Sequence, residues 1–153
     1  MAIRVLAVGR KHESWVSDGI ARYEKRLKKP FDLFWQFLPH SAREGDAARA
    51  EESERLLAKT TEAREYVILL DERGRSIDSP AFSRTLGGAL DASRPVTFLI
   101  GGAYGVDDTV HRRADFVLSL SKLVFPHQLV RLILAEQVYR AQEIAGRRSY
   151  HHE

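Results

Sequence analysis

The chain contains no cysteine. Disulfides and thiolate metal centres are therefore excluded, and a cytoplasmic setting is expected. No apolar run approaches the roughly 20 residues that a membrane-spanning helix requires, so no membrane partner is expected. The opening MAIRVLAVGRKHES has too short an apolar run for a signal peptide and reads as a strand. No G-x-x-x-x-G-K-[ST] loop occurs and no G-x-G-x-x-G, so phosphate or dinucleotide binding loses its best sequence support. Linkers, internal repeats and low-complexity segments are also missing. Nor does one sign of charge dominate: 24 Lys and Arg face 21 Asp and Glu, a net charge of +3. That is a mild bias toward an anionic partner.

What is present fits a single domain over residues 1–153. Hydrophobic residues make up 44% of the chain, and a domain of this size buries roughly 70% of its unfolded surface. Short apolar runs alternate with longer amphipathic ones. Strands are expected at Ala2–Val8, Phe31–Leu38, Glu65–Asp71, Pro95–Ile100 and Asp115–Leu120. Trp15, Ile20, Tyr23 and Leu27 set a helical period over Trp15–Lys29, which Pro30 stops. Asp46–Thr60 is rich in Ala, Glu and Arg and reads as a mostly exposed helix. DSPAFSRTLGGAL begins a helix with Ser79 as N-cap and Pro80 in the first helical position. Pro126–Gly146 is a long helix with Gly146 as its stop. The order is βαβαβαβ, a short helix, then βα. Continuous apolar strands of this kind argue for a parallel sheet flanked by helices, an α/β fold.

The last helix has an apolar face of Val130, Ile133, Leu134, Val138, Ala141 and Ala145. Leu129 and Leu132 lie outside that face. The second apolar surface favours burial against another subunit, a homodimer; the alternative is a deeply buried core helix in a monomer. The basic runs RYEKRLKK, Arg22 to Lys29, and GRRSYHHE near the end are either docking surfaces for an anionic partner or solvated faces.

Two loops carry the chemistry. In VTFLIGGAYGVDD an apolar strand ends in Gly101-Gly102, and Gly105 follows. Two adjacent residues without Cβ leave bare backbone on which a ligand can lie, although strand-end glycines also make ordinary turns. In such sheets ligands bind beyond the carboxyl ends of the strands. The second loop, LSLSKLVFPHQLVR, is mostly apolar yet irregular. An apolar loop is either threaded through the fold or forms a pocket for an aromatic ligand.

LDERGRSIDSPAFSRTL, FLIGGAYGVDD, LSLSKLVFPHQLVRLILAEQVYRAQ and the terminal YHHE, in that order, resemble the ribosomal large-subunit methyltransferase H family. That family belongs to the SPOUT class of S-adenosylmethionine-dependent RNA methyltransferases. The resemblance covers essentially the whole chain. It implies a homodimer of catalytic domains whose C-terminal part forms a deep trefoil knot, an exception to the rule against threaded loops. It implies methylation of N3 of a pseudouridine in a hairpin loop of 23S rRNA, on the assembled 70S ribosome. Carried over by position, the cofactor would contact Leu70, Gly101 and the run Leu120, Ser121, Lys122, Leu123, Val124, Phe125. Gly102 and Gly105 would shape the same loop.

Methyl transfer from a sulfonium needs placement more than covalent help. The N3 proton must also leave. The tail supplies Tyr150, to stack on the base or bond its carbonyls, and His151, which titrates near neutrality. Arg131 is the third catalytic candidate, for orienting the base or holding a phosphate, against a structural ion pair with Glu136. His127 is a further candidate or a helix cap. Arg147, Arg148 and His152 are candidates for RNA contact. The family usually ends Tyr-His-Arg-Glu; His152 here lacks the permanent charge and the bidentate fork of arginine. Adjacent His151 and His152 do not suit chelation and no third ligand is evident, so no metal is expected. The alternative function is a non-catalytic ribosome- or RNA-binding protein with a degenerate pocket.

Overall fold

The computed structural model describes residues 3–152. Ala2, expected to open the first strand, and Glu153 lie outside the described residues. Five strands form one sheet: β1 (Ile3–Val8), β2 (Leu33–Leu38), β3 (Tyr66–Arg75), β4 (Val96–Ile100) and β5 (Phe116–Leu118). Five helices alternate with them: α1 (Ser14–Glu24), α2 (Gly45–Ala58), α3 (Ser79–Asp91), α4 (Asp108–Arg113) and α5 (His127–Ala145). The strand order is β2-β1-β4-β3-β5, and every pairing is parallel.

The period-2 alternation of the strands sorts their side chains to two buried faces. Val5, Ala7, Ile68, Phe98 and Ile100 join Leu86 of α3 and Leu134 and Val138 of α5 in one cluster. Leu6, Val8, Val67, Leu69 and Leu99 meet Leu56 of α2 and Val110 of α4 on the other side. A small third cluster joins Val16 and Ile20 of α1 to Ala135 of α5. The sheet is therefore a middle layer, with α2 and α4 above one face and α1, α3 and α5 above the other. Leu134 and Val138 are fully buried, and each such side chain contributes about 1.5–3 kcal/mol. At the amino ends of the strands, Arg4 bonds the buried Glu65 carboxylate at 2.9 and 3.0 Å, and Thr97 donates to the same group at 3.1 Å. These contacts tie β1, β3 and β4 together at the end opposite the glycine loop.

The element order agrees with the sequence, while several boundaries move for physical reasons. Helix α1 stops at Glu24, because Gln142 of α5 draws the following turn out of the helix. Its amide oxygen accepts from Lys28 N at 2.7 Å and its Nε2 donates to Arg26 O at 3.1 Å. The N-cap of α3 is Asp78, not Ser79: its carboxylate accepts from Ala81 N at 2.9 Å. Ser79 donates instead to Gln137 Oε1 at 2.8 Å. Strand β3 runs past Asp71 to Arg75 through an irregularity after Leu70, since Arg75 pairs with Leu118. Strand β5 is correspondingly short.

Helix α5 ends at Gly146, as expected, but the left-handed residue is Arg147 at φ 56°. Arg148 N bonds Glu143 O at 2.9 Å and Arg147 N bonds Ile144 O at 3.0 Å. This is the Schellman arrangement, with arginine where glycine is favoured. A Cβ in that conformation costs about 1–2 kcal/mol, partly offset because glycine loses more freedom on folding. Arg147→Gly should therefore raise the unfolding free energy by about 0.5–1 kcal/mol in urea melts. An unchanged or lower value would mean that the arginine side chain compensates its own strain.

Candidate functional site

The carboxyl ends of β3 and β4 and the segment after β5 open onto a cavity of about 450 Å³. Its floor is the strand ends, Leu70 and Ile100, followed by Gly101 and Gly102. Gly105 stands on the same wall. Opposite them lie Leu120, Ser121, Leu123, Val124 and Phe125, with His127 and Val130 at the start of α5. These walls bring together every expected cofactor residue except Lys122, which is exposed and lies outside the lining.

The glycines are needed for the shape. A Cβ on Gly101 would stand 2.9 Å from Val106 Cγ1, and one on Gly102 would stand 2.6 Å from Glu52 Oε1. Gly105 has φ +73° and donates its N–H to Gly102 O at 3.0 Å, closing the turn. The loop is thus both a tight turn and a bare wall. Its exit is fixed by Ser53, whose hydroxyl accepts from Asp107 N at 3.0 Å. Across the cavity, Ser121 Oγ accepts from Leu123 N at 3.0 Å, and Ser119 donates to Ser121 O at 2.9 Å. The bend leaves Leu123 and Val124 72% and 74% exposed. The apolar loop is therefore not buried by its own chain at these two residues.

Polar groups at the rim went unnoticed in the sequence. Asp71, two residues beyond the buried part of β3, lines the cavity. Burial alone would raise its carboxyl, but hydrogen bonds and charge from Arg73, with His111, outweigh this and hold it below the usual carboxylate range. Arg73 N and Nη2 bond it at 2.9 and 3.0 Å, and His111 Nε2 lies 3.1 Å away. Arg49 of α2 adds a further cation to the lining. A charged residue directly after a buried apolar strand was the available signal for Asp71.

The catalytic candidates lie in two places. Arg131 is 1% exposed, one turn into α5. Its Nη1 donates to Arg10 O at 2.8 Å, and its guanidinium stacks over Phe37 at 5.1 Å. Glu136 is not its partner, since that carboxylate pairs with Arg140 at 2.8 Å. Around Arg131 gather His12, His40 and His127. His12 packs edge-on against Trp35 and Phe37 at 4.6 and 5.1 Å. Burial, then the Arg131 charge, lowers its pKa to about 4. Burial followed by Arg131 and His40 also lowers the pKa of His127, with Glu52 opposing. His127 is not a cap: Pro126 holds that position without a side-chain bond.

Tyr150 and His151 sit at the other end of α5, about four helical turns away. Tyr150 packs edge-on against Tyr139 at 4.8 Å, and the Arg140 guanidinium lies 4.8 Å over its ring. Burial, then the Glu136 charge, raises the Tyr150 phenol above its usual pKa, so it stays protonated at neutral pH. Arg140 Nη1 lies 3.0 Å from His151 Nδ1. A guanidinium only donates, so Nδ1 accepts and the ring proton of neutral His151 sits on Nε2. His151 and His152 line a second hollow, of about 800 Å³, against the start of α3. Leu120 lines both hollows. Neither tail residue reaches the first cavity within one chain. Arg148 pairs with Glu143 at 2.7 Å, whereas Arg147 and His152 are exposed.

Arg140 was invisible in the sequence because an i, i+4 pair with Glu136 looks like an ordinary surface ion pair. Among the described residues, no group of three or more His, Asp or Glu side chains is arranged to hold a metal ion, and no helix is long and apolar enough to cross a membrane.

The family model described as predicted SPOUT methyltransferase matches residues 1–151. The chain belongs to the SPOUT methyltransferase family. Two relatives of this SPOUT methyltransferase are each named "Ribosomal RNA large subunit methyltransferase H". The one from Geobacter sulfurreducens is 42% identical, over 99% of this chain and 100% of its own. The one from Gluconacetobacter diazotrophicus is 43% identical, over 97% and 96%. A solved structure of a probable methylase family protein from Haemophilus influenzae Rd KW20 aligns with a TM-score of 0.56 at 12% identity. It covers 99% of this chain and 70% of that one, a likeness of fold.

The His12 environment gives this SPOUT methyltransferase a pH signature. Its imidazole is neutral in the folded chain down to about pH 4 but protonates near pH 6.5 when unfolded. Its contribution to stability is complete above pH 6.5 and is lost as pH falls toward 4. After allowance for partial exposure the loss is about 1–2 kcal/mol. The difference in unfolding free energy between wild type and His12→Gln should shrink by that amount between pH 7 and pH 4. A constant difference would show that the two forms titrate alike there.

Proposed function

We propose that the chain transfers a methyl group from S-adenosylmethionine to N3 of a pseudouridine in a 23S rRNA hairpin loop. The reaction takes place in the cytoplasm on the assembled 70S ribosome, and the enzyme works as a homodimer. The observation that carries the proposal is the first cavity. Its two adjacent glycines have no room for a Cβ, Leu70, Leu120, Leu123, Val124 and Phe125 give it apolar surface, and Arg49, Asp71 and Arg73 add polar groups. Such a site suits a small molecule with a flat aromatic part and polar ends. The relatives' names and their full-length similarity point to the same substrate class.

Leu70, Gly101, Gly102, Leu120, Ser121, Leu123, Val124 and Phe125 would hold the cofactor, with Asp71 and Arg73 offering polar contacts at its rim. The bound cofactor supplies an activated methyl group. The chain's own part is to bind, orient and exclude water. The tail of one subunit would complete the cavity of the other, since neither Tyr150 nor His151 reaches the first cavity of its own chain. Exposed Leu123, Val124 and Trp15 offer apolar surface for that pairing. Threading of the segment after β5 into a trefoil knot belongs to the same reading.

In this reading the tail orients the base. Arg140 engages His151 Nδ1, which would leave Nε2–H as a donor for a carbonyl of the base. Tyr150, protonated, supplies a stacking face and a second donor. The N3 proton then needs another acceptor. His127 lines the cavity, and its lowered pKa keeps it neutral and able to accept. N3 would gain its methyl as the sulfonium S–CH₃ bond breaks to leave a neutral thioether, and the N3 proton would pass to His127 and on to water.

The test is incorporation of labelled methyl from S-adenosylmethionine into 70S ribosomes lacking this modification. Wild type should modify one 23S hairpin. Gly101→Val should lose cofactor binding by about 100-fold or more, because its side chain meets Val106 and the Gly105 backbone. His151→Ala and Arg140→Ala should keep cofactor affinity and lower kcat by about 10- to 100-fold. His127→Gln should lower kcat and remove the acid limb of the pH profile. Cofactor binding without incorporation into any ribosome would overturn the substrate assignment. Absence of cofactor binding would leave the non-catalytic RNA-binding protein.

A further inference from the structure

The basic run Arg22–Lys29 and the tail, distant in sequence, meet at one residue. Gln142 is 5% exposed. Its side chain holds the backbone of Arg26 and Lys28, at 3.1 and 2.7 Å. Its main-chain oxygen accepts from Arg148 Nη2 at 3.3 Å. A column of aromatic rings runs alongside. Tyr23 of α1 lies 5.8 Å from Tyr139, which lies 4.8 Å from Tyr150. The turn after α1 is therefore anchored to the segment that carries Tyr150 and His151.

The exposed charge on the run at this junction is of one sign. Arg22, Lys25, Arg26, Lys28 and Lys29 are all exposed. Among the described residues none of them forms an ion pair, and neither does Arg147. The one acid within the run, Glu24, is half-buried, which raises its carboxyl above the usual range, and among the described residues it pairs with none of these cations. Elsewhere many arginines are paired: Arg4, Arg43, Arg49, Arg55, Arg73 and Arg140 all meet a carboxylate. An uncompensated cluster costs self-repulsion, which a polyanion relieves.

We propose that the turn after α1, Lys25–Lys29, together with Arg147, is a docking surface for the rRNA phosphates that flank the target nucleotide. The occupant is an RNA backbone, because flexible lysines on an exposed turn match a line of phosphates and carry no base-reading geometry. Gln142 fixes the distance between this surface and the tail, so the docked backbone presents its base at Tyr150. The inference rests on the tail acting at the target base, as proposed above.

Binding to 70S ribosomes lacking the modification is measured against salt for three proteins. They are wild type, a variant with Lys25→Gln, Lys28→Gln and Lys29→Gln, and a charge-matched control with Lys59→Gln, Arg64→Gln and Arg112→Gln. Each displaced phosphate contact contributes about 0.7–0.9 to the slope of log K against log salt. The first variant should lose about 2 in slope and about 10- to 100-fold in affinity near 0.1 M salt. Its cofactor affinity and its kcat at saturating ribosome should stay at wild-type values, which also verifies folding. The control should behave as wild type. A wild-type slope in the first variant, with methylation intact, overturns the docking surface and leaves the enzymatic reading standing. Equal losses in both variants overturn it in favour of net charge. Lost affinity with an unchanged slope overturns it in favour of a protein contact. Failure of wild type to bind or methylate ribosomes overturns the enzymatic reading and this surface with it.

Discussion

The packing of α5 between α1 and α3 is the contact on which the rest of the molecule depends. Leu134, Val138 and Ala141 seat the helix on the sheet, and Ala135 meets Val16 and Ile20 of α1. A helix held on two sides has no freedom to slide, since close-packed interiors do not deform continuously. Its first turn then lies fixed beside the glycine loop, with His127 and Val130 in the cavity wall. Its last turns set Tyr139, Arg140 and Gln142 beneath the tail. One rigid element thus holds the glycine-loop cavity and the tail of the same chain at a constant separation.

The parallel sheet supplies the other fixed coordinate. Strand order places β4 between β1 and β3, with β5 at the edge beyond β3. The carboxyl ends of β3, β4 and β5 therefore open at one side, as ligand sites in open α/β sheets do. Glu65, Arg4 and Thr97 close the opposite end with short, partly buried bonds. One end of the sheet is tied and the other is shaped.

Much of this was legible in the residues. Apolar runs such as PVTFLI and EYVILL marked buried strands, and the paired glycines after Ile100 marked the cavity floor. Local patterns failed where a distant partner overrode them. Helix periodicity continued to Leu27, but Gln142 captured the backbone beyond Glu24. Ser79 was a good N-cap by type, yet Gln137 competes for its hydroxyl and Asp78 serves the helix. Arg131 looked available for substrate and is instead enclosed by Phe37 and Arg10. Lys122 sits among cavity residues in sequence, yet the bend around Ser121 leaves it outside the lining. Asp71 and Arg140 carry ordinary local signatures, a charged residue at a strand end and an i, i+4 pair. Their roles arise only from what the fold sets beside them.

Leu120 belongs to the walls of both hollows, with the cavity of the glycine loop on one side and that of His151 on the other. A side chain with two neighbours of this kind is a shared partition. An occupant that moved it toward one space would enlarge the other. Occupants that both displaced Leu120 would be linked through a single leucine, and such linkage is reciprocal: whatever one did to the affinity of the second, the second would do to the first.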